Sequence, residues 1–448
     1  MLSKELTIAI VVVVAALALR LATIETTNLS YFVIAVYALL GRAQAVQALA
    51  LSWLFTMLSP GIAPESTATF IGRYAVIASA ATSMLLRCGR GVEAYSLNRP
   101  VVATLALGVS LIIHSILFSP LPVVSILKAI SWTVVMATLL SAWTGLEHQA
   151  RARLERQLFG GLVLLVMVSL PLAVTDIGYL RNDTGFQGVL SHPQAFGPTA
   201  ALLGGWLAGR LLGAARPRWL EVALLGLCLV LVMMSESRTA GLALVLGVAC
   251  TVLVSPFVAG IAVRRLMPGL ASQRLQALAF IAVVSAVVAG PGLWSDYILK
   301  RGDSANLLEA ADLSRGALVF TMIANIEENP LEGIGFGIAS DPAMMEVDRD
   351  PTLGLPTGAP IEKGVLPFAV LEELGIFGFF LVIAWLWLMV QRGARAGVAA
   401  FAVLATLLLT NLGESTLFSP GGMGLLPLIL LAWAVTGRHH AVQNRIRG

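Results

Sequence analysis

The sequence predicts an all-α protein, namely a polytopic membrane helical bundle of 12–14 transmembrane helices with one large, partly helical loop on the outer side. Three observations lead to this prediction. Of the 448 residues, 58% are hydrophobic and only 12% are charged, whereas a soluble domain carries about 25% charged residues. Apolar runs recur along the chain, many of them close to the roughly 20 residues that span a bilayer. Lysine and arginine are concentrated in alternate connections between those runs, as in helices oriented across a membrane.

Fourteen apolar runs are candidate helices. The runs at 31–40 and 45–58 are short, so they form either two helices or one hairpin or re-entrant pair, and we expect twelve to fourteen spans. The run at 6–24 follows Lys4 as in a signal peptide, but no clear cleavage site follows it and Arg20 interrupts it, so we expect a retained first helix. The remaining runs lie at 70–86, 101–118, 123–143, 159–174, 196–212, 220–234, 241–258, 275–289, 366–390, 396–409 and 423–435.

The distribution of charge predicts how the helices are oriented. When the N-terminus is placed in the cytoplasm and the helices alternate, most of the 29 lysines and arginines fall in inner connections. Every inner connection from Arg87 onward is basic, and most acidic residues fall on the outer side. Both termini are therefore expected to be cytoplasmic.

One outer connection is far longer than the others and divides the chain into three parts. These are an N-terminal transmembrane bundle at 1–289, a large loop at 290–365, and C-terminal transmembrane helices with a cytoplasmic tail at 366–448. Loops of this length without a separate fold are usually functional. Residues 314–328 carry apolar side chains at helical spacing and predict an amphipathic helix, which lies on the bilayer or over the bundle and ends at 329–330.

Three outer arginines are candidate anion ligands, because a guanidinium can bind a phosphate through two parallel hydrogen bonds. Arg238 lies in a short polar turn between two apolar runs, Arg181 lies in the preceding outer connection, and Arg315 begins the predicted loop helix. A helix N-terminus adds partial positive charge at Arg315. The alternatives are that Arg238 pairs with Glu236 or reaches the membrane interface, and that Arg315 is a solvated surface residue.

Two further outer segments carry groups suited to proton transfer or sugar binding. His192 either contacts a sugar or shuttles a proton, or it caps the helix that follows. Glu362 is a candidate general base and Lys363 a candidate phosphate ligand, the alternative being a solvated pair at a helix start. Glu372 and Glu373 lie about two turns into the next helix, where burial of either demands a partner such as an arginine.

Several other kinds of site are not predicted. No Asp-x-Asp pair is positioned to hold a nucleotide-sugar metal and no His-x-x-x-His pattern lies on the outer side, so neither a metal nor another cofactor is expected, and the three cysteines have neither disulfide nor metal spacing. The Gly-Ile-Gly-Phe-Gly run lacks a preceding strand and is no dinucleotide-binding motif. A nucleic acid partner is not expected. Charges inside the membrane, namely Arg20, Arg73, His114 and Lys128, either pair with acidic groups or line a cavity.

Four segments, in this order, resemble motifs of the O-antigen ligase and O-antigen polymerase superfamily, and the similarity covers roughly residues 160–390. The segments are His192-Pro193-Gln194-Ala195-Phe196-Gly197, similar to the family's His-Pro-Asn-x-x-Gly; the turn at 235–239, similar to its Ser-x-Ser-Arg; Arg315 followed by the run at 329–337, similar to its Arg-helix-Pro-Leu-x-Gly-x-Gly; and the stretch at 371–378, similar to its Glu-x-Gly-x-x-Gly helix.

The resemblance implies a metal-independent, inverting glycosyltransferase with a GT-C-like fold in the bacterial inner membrane and an active site that faces the periplasm. The implied donor is an oligosaccharide on undecaprenyl diphosphate, and the acceptor is a glycan hydroxyl. Membrane lipids and other polysaccharide-assembly proteins, such as a chain-length regulator, are the further implied partners. The diphosphate ligands that the resemblance implies are Arg238 and Arg315, followed by Arg181. Lys363 is a further candidate phosphate ligand from its own chemistry, and His192 and Gln194 are the candidate glycan contacts.

One departure separates the chain from the ligases of that superfamily. Those enzymes typically carry a histidine at the end of the large loop, whereas this chain has no histidine between 193 and 438 and has Glu-Lys-Gly at 362–364 instead. Either Glu362 serves as the base, or charge stabilisation alone carries the reaction. Polymerisation of exopolysaccharide, O-antigen or capsule repeat units is therefore favoured over ligation to lipid A-core. A glycan or lipid transporter and a membrane scaffold are the other hypotheses, and no internal repeat supports the transporter.

Overall fold

A computed structural model describes residues 4–64, 69–88, 98–288, 316–349, 354, 356–358 and 363–437. Helices dominate these residues, and each predicted apolar run coincides largely with a helix, although Thr23 interrupts the run at 6–24 and the run at 31–40 continues past the helix end at Ala38. The helices are α1 (Lys4–Ala22), α2 (Ile24–Ala38), α3 (Arg42–Met57), α4 (Thr69–Leu86), α5 (Arg99–Phe118), α6 (Pro122–Thr144), α7 (His148–Ser169), α8 (Pro193–Gly213), α9 (Trp219–Met234), α10 (Arg238–Ala259), α11 (Val263–Leu266), α12 (Gln273–Val288), α13 (Ala317–Glu328), α14 (Leu366–Ala396), α15 (Val398–Thr410) and α16 (Leu425–Val435).

Short irregular elements connect the helices. A two-stranded antiparallel hairpin, which the sequence did not predict, pairs β1 (Asp348–Arg349) with β2 (Pro356–Gly358) in the large loop. The predicted loop helix is present as α13, which ends at Glu328 before Asn329-Pro330 as expected. Single 3-10 turns lie at Leu170–Val174, Asp176–Tyr179, Pro268–Ala271, Pro342–Met344 and Gly422–Gly424.

Length, composition and burial identify the protein as embedded in a membrane. By length and hydropathy, five helices of the described part are suited to cross a bilayer: α5, α6, α7 with its 3-10 extension, α10 and α14. Helix α5 exposes the apolar Val109, Ile113 and Ile116 while it buries Thr104 and Ser115. That pattern is the reverse of a water-soluble surface and fits a lipid-facing helix. The total of twelve to fourteen spans stays a prediction.

Small residues let the central helices approach closely. Helices α8, α15 and α16 are buried along nearly their whole length. An added Cβ at Gly205 or Gly247 would overlap Thr406 of α15. Close approach through glycine and threonine is the usual packing of helices in lipid. The indoles of Trp206 and Trp433 complete this core, with ring centroids 4.1 Å apart.

Arginines hold one end of the bundle together by binding the C-terminal carbonyls of its helices. Arg42 Nη1 donates to Gly145 O at 2.6 Å, beyond α6, and Arg151 Nη2 donates to Trp433 O of α16 at 2.9 Å. Arg87 Nη2 donates to Leu39 O at the end of α2 at 2.9 Å. A cation at a helix C-terminus also favours the helix dipole. We call this end of the bundle the basic face.

The other helix ends meet at the opposite face. There Ser191 N donates to Met57 O at 2.7 Å, which joins the start of α8 to the end of α3, and Phe186 N donates to Met234 O of α9 at 2.8 Å. Leu366 N of α14 donates to Asn411 O beyond α15 at 3.1 Å. This sorting of helix ends fits the alternation predicted from the charges. Which face is cytoplasmic stays a prediction.

Helix α14 is broken, although the sequence predicted an uninterrupted run at 366–390. At the break, Gly375 has φ 62° and ψ −172°, a conformation that is essentially restricted to glycine. The large loop supplies the hydrogen bonds that the break removes. Ile334 N donates to Glu372 O at 2.8 Å, and Gly335 N donates to Glu373 O at 3.0 Å. The section of α14 before the break is therefore paired with the loop.

Candidate functional site

The turn that contains Arg238 lies against the segment that precedes α8. Glu236 adopts a left-handed conformation with φ 53°, which turns the chain sharply between α9 and α10. Thr184 Oγ1 donates to Glu236 Oε2 at 3.1 Å. Gly197 packs directly on Ser237, where an added Cβ would overlap the serine. The first turns of α8 and α10 are therefore side by side at the opposite face.

His192 caps α8, which was one of the two roles considered for it. Its backbone is extended, Pro193 begins the helix, and the ring Nδ1 accepts a hydrogen bond from Gln194 N at 3.0 Å. Because Nδ1 accepts here, the ring is held in one orientation at the helix start. The predicted contacts of His192 and Gln194 with a glycan stay predictions.

A narrow cavity of about 20 Å³ lies beside these helix starts, with room for about one water molecule or hydroxyl group. Its polar lining comes from α8 and from the connection between α15 and α16. Gly413 in that connection packs on the side chain of Thr239, the neighbour of Arg238. The polar residues that line the cavity are Gln194, Thr199, Thr410, Asn411, Glu414 and Thr416.

The sequence analysis overlooked Asn411 and Glu414. Asn411 Oδ1 accepts hydrogen bonds from Thr416 N and Leu417 N, both at 2.9 Å, and so fixes the shape of the connection. Glu414 is half-buried and lines the cavity. The signal that would have found both residues is the Asn-Leu-Gly-Glu-Ser-Thr run at 411–416, which interrupts two strongly apolar runs on the predicted outer side.

Lys363 is the centre of a buried ion cluster. Its Nζ lies 2.6 Å from Glu372 Oε2 and 3.3 Å from Glu373 Oε1. The residues are only 4%, 0% and 7% exposed. Two expectations need correction: Lys363 is not part of a solvated pair, and the partner of the two glutamates is a lysine and not an arginine. Both differences arise because the loop covers the start of α14.

Groups of the large loop complete this cluster. Asn325 Nδ2 of α13 donates to Glu372 Oε1 at 2.6 Å, and Ser340 Oγ donates to Glu372 Oε2 at 3.2 Å. Gly337 N donates to Glu373 Oε2 at 2.6 Å. Lys128 of α6, which packs on Gly337, lies 5.3 Å from the ring centroid of Phe336. Helix α13 is thus held over the bundle by hydrogen bonds to α14.

From its distance to the basic end of the helix, the break in α14 is expected near one boundary of the membrane and not at its middle. The apolar residues 376–390 rise about 22 Å at 1.5 Å per residue, after which Gln391 and Arg392 begin the basic end of the helix. A hydrocarbon core is about 30 Å thick. Glu372 and Glu373 therefore lie close to the boundary at the opposite face.

An apolar groove of about 350 Å³ runs between α5 and α14 beside the break. Ile113, Leu117 and Phe377 line it with exposed side chains. At its polar end, a ring nitrogen of His114 contacts Glu332 O. Both walls are helices suited to cross a membrane, so the groove opens towards lipid.

The other predicted residues are placed as follows. The Arg181 side chain is exposed, and its backbone N donates to Gln187 Oε1 at 3.0 Å. Arg20 is buried and structural, because it donates to Phe55 O at 3.1 Å and to Pro64 O at 2.8 Å. Arg315 and Glu362 lie outside the described residues, so the predicted meeting of Arg238 and Arg315 stays a prediction. Within the described residues, no cluster of three or more histidine, cysteine or carboxylate side chains could hold a metal.

The arrangement offers a cationic turn, two adjacent helix N-termini, and a half-buried carboxylate beside a hydroxyl-sized cavity. Such a set can bind an anion and accept a proton from a neighbouring hydroxyl group. No protein-family model matches the chain, and no curated protein matches it.

Proposed function

We propose that the protein is a metal-independent, inverting glycosyltransferase that transfers a glycan from undecaprenyl diphosphate to a sugar hydroxyl at the outer side of the bacterial inner membrane. Because the loop histidine of the ligases is missing, the product of this proposal is a polymer of exopolysaccharide, O-antigen or capsule repeat units. The observation that carries the proposal is the adjacency of the first turns of α8 and α10. It brings the helix start that carries His192 and Gln194 next to the Arg238 turn, which supports a shared binding site for donor and acceptor.

Arg238 holds the diphosphate of the donor in this proposal, together with Arg315 and Arg181. The charge on the diphosphate grows as its bond to the anomeric carbon breaks, and fixed guanidinium groups stabilise that charge. The N-termini of α8 and α10 add partial positive charge at the same place. The apolar groove between α5 and α14 supports a donor with a long hydrocarbon chain, since both of its walls belong to apolar helices.

Lys363 has no place among the diphosphate ligands of this proposal. Its ammonium group lies against two carboxylates and is only 4% exposed. A diphosphate would have to displace one of these carboxylates, which would leave a buried charge without compensation. We therefore assign Lys363 to the attachment of the large loop to α14.

The test is turnover of a lipid-diphosphate oligosaccharide by the purified protein in lipid nanodiscs. Nucleotides are omitted and a chelator removes divalent metals, and the products are measured by mass. We expect longer glycan chains, and we expect Arg238→Ala to lower the rate at least about 100-fold, as loss of a charge-stabilising group does. Arg153→Ala, an exposed arginine of α7 towards the basic face, is the matched control. Wild-type rates in Arg238→Ala would refute the diphosphate site.

A ligase would use the same donor site, and the acceptor separates the two enzymes. A polymerase extends a second lipid-linked glycan, whereas a ligase requires lipid A-core or another terminal acceptor. Supplying each acceptor in turn to the same nanodiscs decides between them. Growth of the glycan on the lipid-linked acceptor, and not on lipid A-core, supports the polymerase.

One observation favours a transporter as the second candidate, because broken membrane helices often line transport sites. In transporters the break lies near the midplane, whereas the break at Gly375 lies near one boundary of the membrane. Transporters also bind their cargo without altering it. Movement of intact lipid-linked glycan across a vesicle membrane, with no change in its mass, would favour transport over glycosyl transfer.

A further inference from the structure

We propose that Glu414 is the general base that accepts the proton of the attacking hydroxyl group. The inference rests on the proposed glycosyl transfer and adds a catalytic residue to it. Glu414 belongs to the connection between α15 and α16, outside every segment that the resemblance covers. It takes the role for which the sequence had suggested Glu362.

The position of Glu414 carries the inference. The cavity that it lines is bounded on the α8 side by Gln194, in the segment expected to contact the glycan. The neighbouring Gly413 packs on Thr239, which follows Arg238. The chain neighbours of Glu414 and of Arg238 are therefore in direct contact. Glu414 thus lines the cavity from a connection that packs against the cationic turn. An acceptor hydroxyl and a donor diphosphate would need just such adjacent positions.

The connection around Glu414 is held rigidly, which a base requires for positioning. Asn411, which is buried, accepts from two backbone amides of the same connection and its own carbonyl accepts from Leu366 N of α14. Trp132 Nε1 of α6 donates to Leu417 O at 3.1 Å. The connection is therefore hydrogen-bonded to both α14 and α6. A base held in place loses little entropy when the substrate binds.

The reaction step balances without a metal or a co-reactant. The acceptor oxygen attacks the anomeric carbon from the side opposite the diphosphate, and a new C–O bond forms as the old C–O bond breaks. The proton of the acceptor hydroxyl moves to the Glu414 carboxylate. The bonding pair leaves with the diphosphate oxygen, whose charge Arg238 stabilises. The configuration at the anomeric carbon is inverted.

The experiment compares Glu414→Gln, Glu414→Asp and wild type in the nanodisc assay. We expect Glu414→Gln to lower kcat about 100-fold or more, within the range for a lost base, with little change in the KM for the donor. Glu414→Asp, which keeps the carboxylate but shortens it, should retain intermediate activity. Glu328→Gln, an exposed glutamate at the end of α13, is the matched control. Glu362→Gln tests the competing base directly.

A second measurement identifies the role as proton transfer. An acceptor with fluorine next to the attacking hydroxyl group has a more acidic hydroxyl and needs less help from a base. The defect of Glu414→Gln should therefore shrink at least several-fold with this acceptor, whereas a merely structural defect would not. An unchanged defect, or a normal rate in Glu414→Gln, would overturn the inference. If Arg238→Ala is inactive while Glu414→Gln is normal, the base is wrong and the glycosyltransferase stands. If the wild type produces no glycan transfer, the proposed function and the base fail together.

Discussion

The buried ammonium of Lys363 illustrates how single residues hold the outer end of this protein together. One cation lies against two carboxylates, and each carboxylate also accepts hydrogen bonds from the large loop. Burial of such charges is costly, and their mutual pairing offsets the cost only while every partner is present. Removal of one charge of the cluster should therefore lower the free energy of unfolding more than removal of an oppositely charged pair.

We expect Lys363→Met to lower the free energy of unfolding by about 3 kcal/mol or more, because it leaves two adjacent buried carboxylates without their cation. The double variant Lys363→Met with Glu372→Gln should recover part of this loss, since one uncompensated charge is removed as well. Thermal unfolding in detergent, followed by tryptophan fluorescence, measures both. If the separate effects of Lys363→Met and Glu372→Gln on the free energy of unfolding simply added up in the double variant, the two side chains would not be coupled.

Gly197 gives a second test at the residue scale. Its hydrogen atoms face Ser235 and Ser237, so Gly197→Ala should force the first turns of α8 and α10 apart and cost about 1–3 kcal/mol. Gly161→Ala on α7, where an added Cβ meets nothing within 4 Å, is the control. Equal melting temperatures for the two variants would contradict the close contact.

Residue roles could be predicted where the signals are local. The cap at His192 follows from the proline after it, and the turn at Arg238 follows from a polar run between apolar ones. The partner of Glu372 could not be predicted, because Lys363 reaches it only when the loop covers the start of α14. Glu414 was missed because it is a single charge in a short connection, and its proximity to α8 and α10 exists only in the folded bundle.

At the scale of elements, the broken α14 depends on the loop that pairs with it. The carbonyls of Glu372 and Glu373 accept from Ile334 N and Gly335 N across the break. In lipid, unpaired carbonyl groups cost several kcal/mol each. The section of α14 before Gly375, the run at 330–337 and helix α13 should therefore behave as one unit.

We expect Gly375→Ala to strain the backbone by about 1–3 kcal/mol, because few residues other than glycine adopt its conformation. The amides of residues 334 and 335 should then exchange hydrogen for deuterium faster than in the wild type, as the loop loosens. Gly226→Ala, whose added Cβ would make only an ordinary contact with Leu278, is the control. Unchanged exchange in Gly375→Ala would contradict the coupling of loop and break.

The existence of the elements was predictable, whereas their interruptions were not. Hydrophobicity located the apolar helices, and Asn329-Pro330 marked the end of α13. The sequence could not reveal the break, because Gly375 lies in an apolar stretch that would also form a straight helix. Helix α7 begins at His148, well before its apolar run at 159–174, because its polar first turns continue the helix beyond the lipid.

For the whole molecule, orientation decides whether the proposed site can meet its donor. The basic face gathers Arg42, Arg87 and Arg151, while the Arg238 turn and Glu414 lie at the opposite face. By the positive-inside rule, we expect the basic face to lie in the cytoplasm. The donor would then reach the site from the outer leaflet.

Cys88 offers a natural probe of this orientation, because it is exposed just beyond α4. In a variant with Cys228 and Cys250 replaced by alanine, a membrane-impermeant maleimide should not label Cys88 in intact cells but should label it after permeabilisation. Adding Leu180→Cys, an exposed position on the other side, should give labelling in intact cells. The reverse pattern would place the site in the cytoplasm and exclude an outer-leaflet donor.

The order of synthesis gives the break in α14 a further consequence. The ribosome makes residues 330–337 before it makes Glu372 and Glu373. With the expected orientation, the loop segment that completes the broken turn should therefore reach the outer side before that turn leaves the translocon. The carbonyl groups of Glu372 and Glu373 would then be able to accept hydrogen bonds from this loop segment as soon as they leave the translocon. Moving the codons for this loop segment to a point after α14 in the gene would reverse the order of synthesis, while every amino acid of the cluster would stay unchanged.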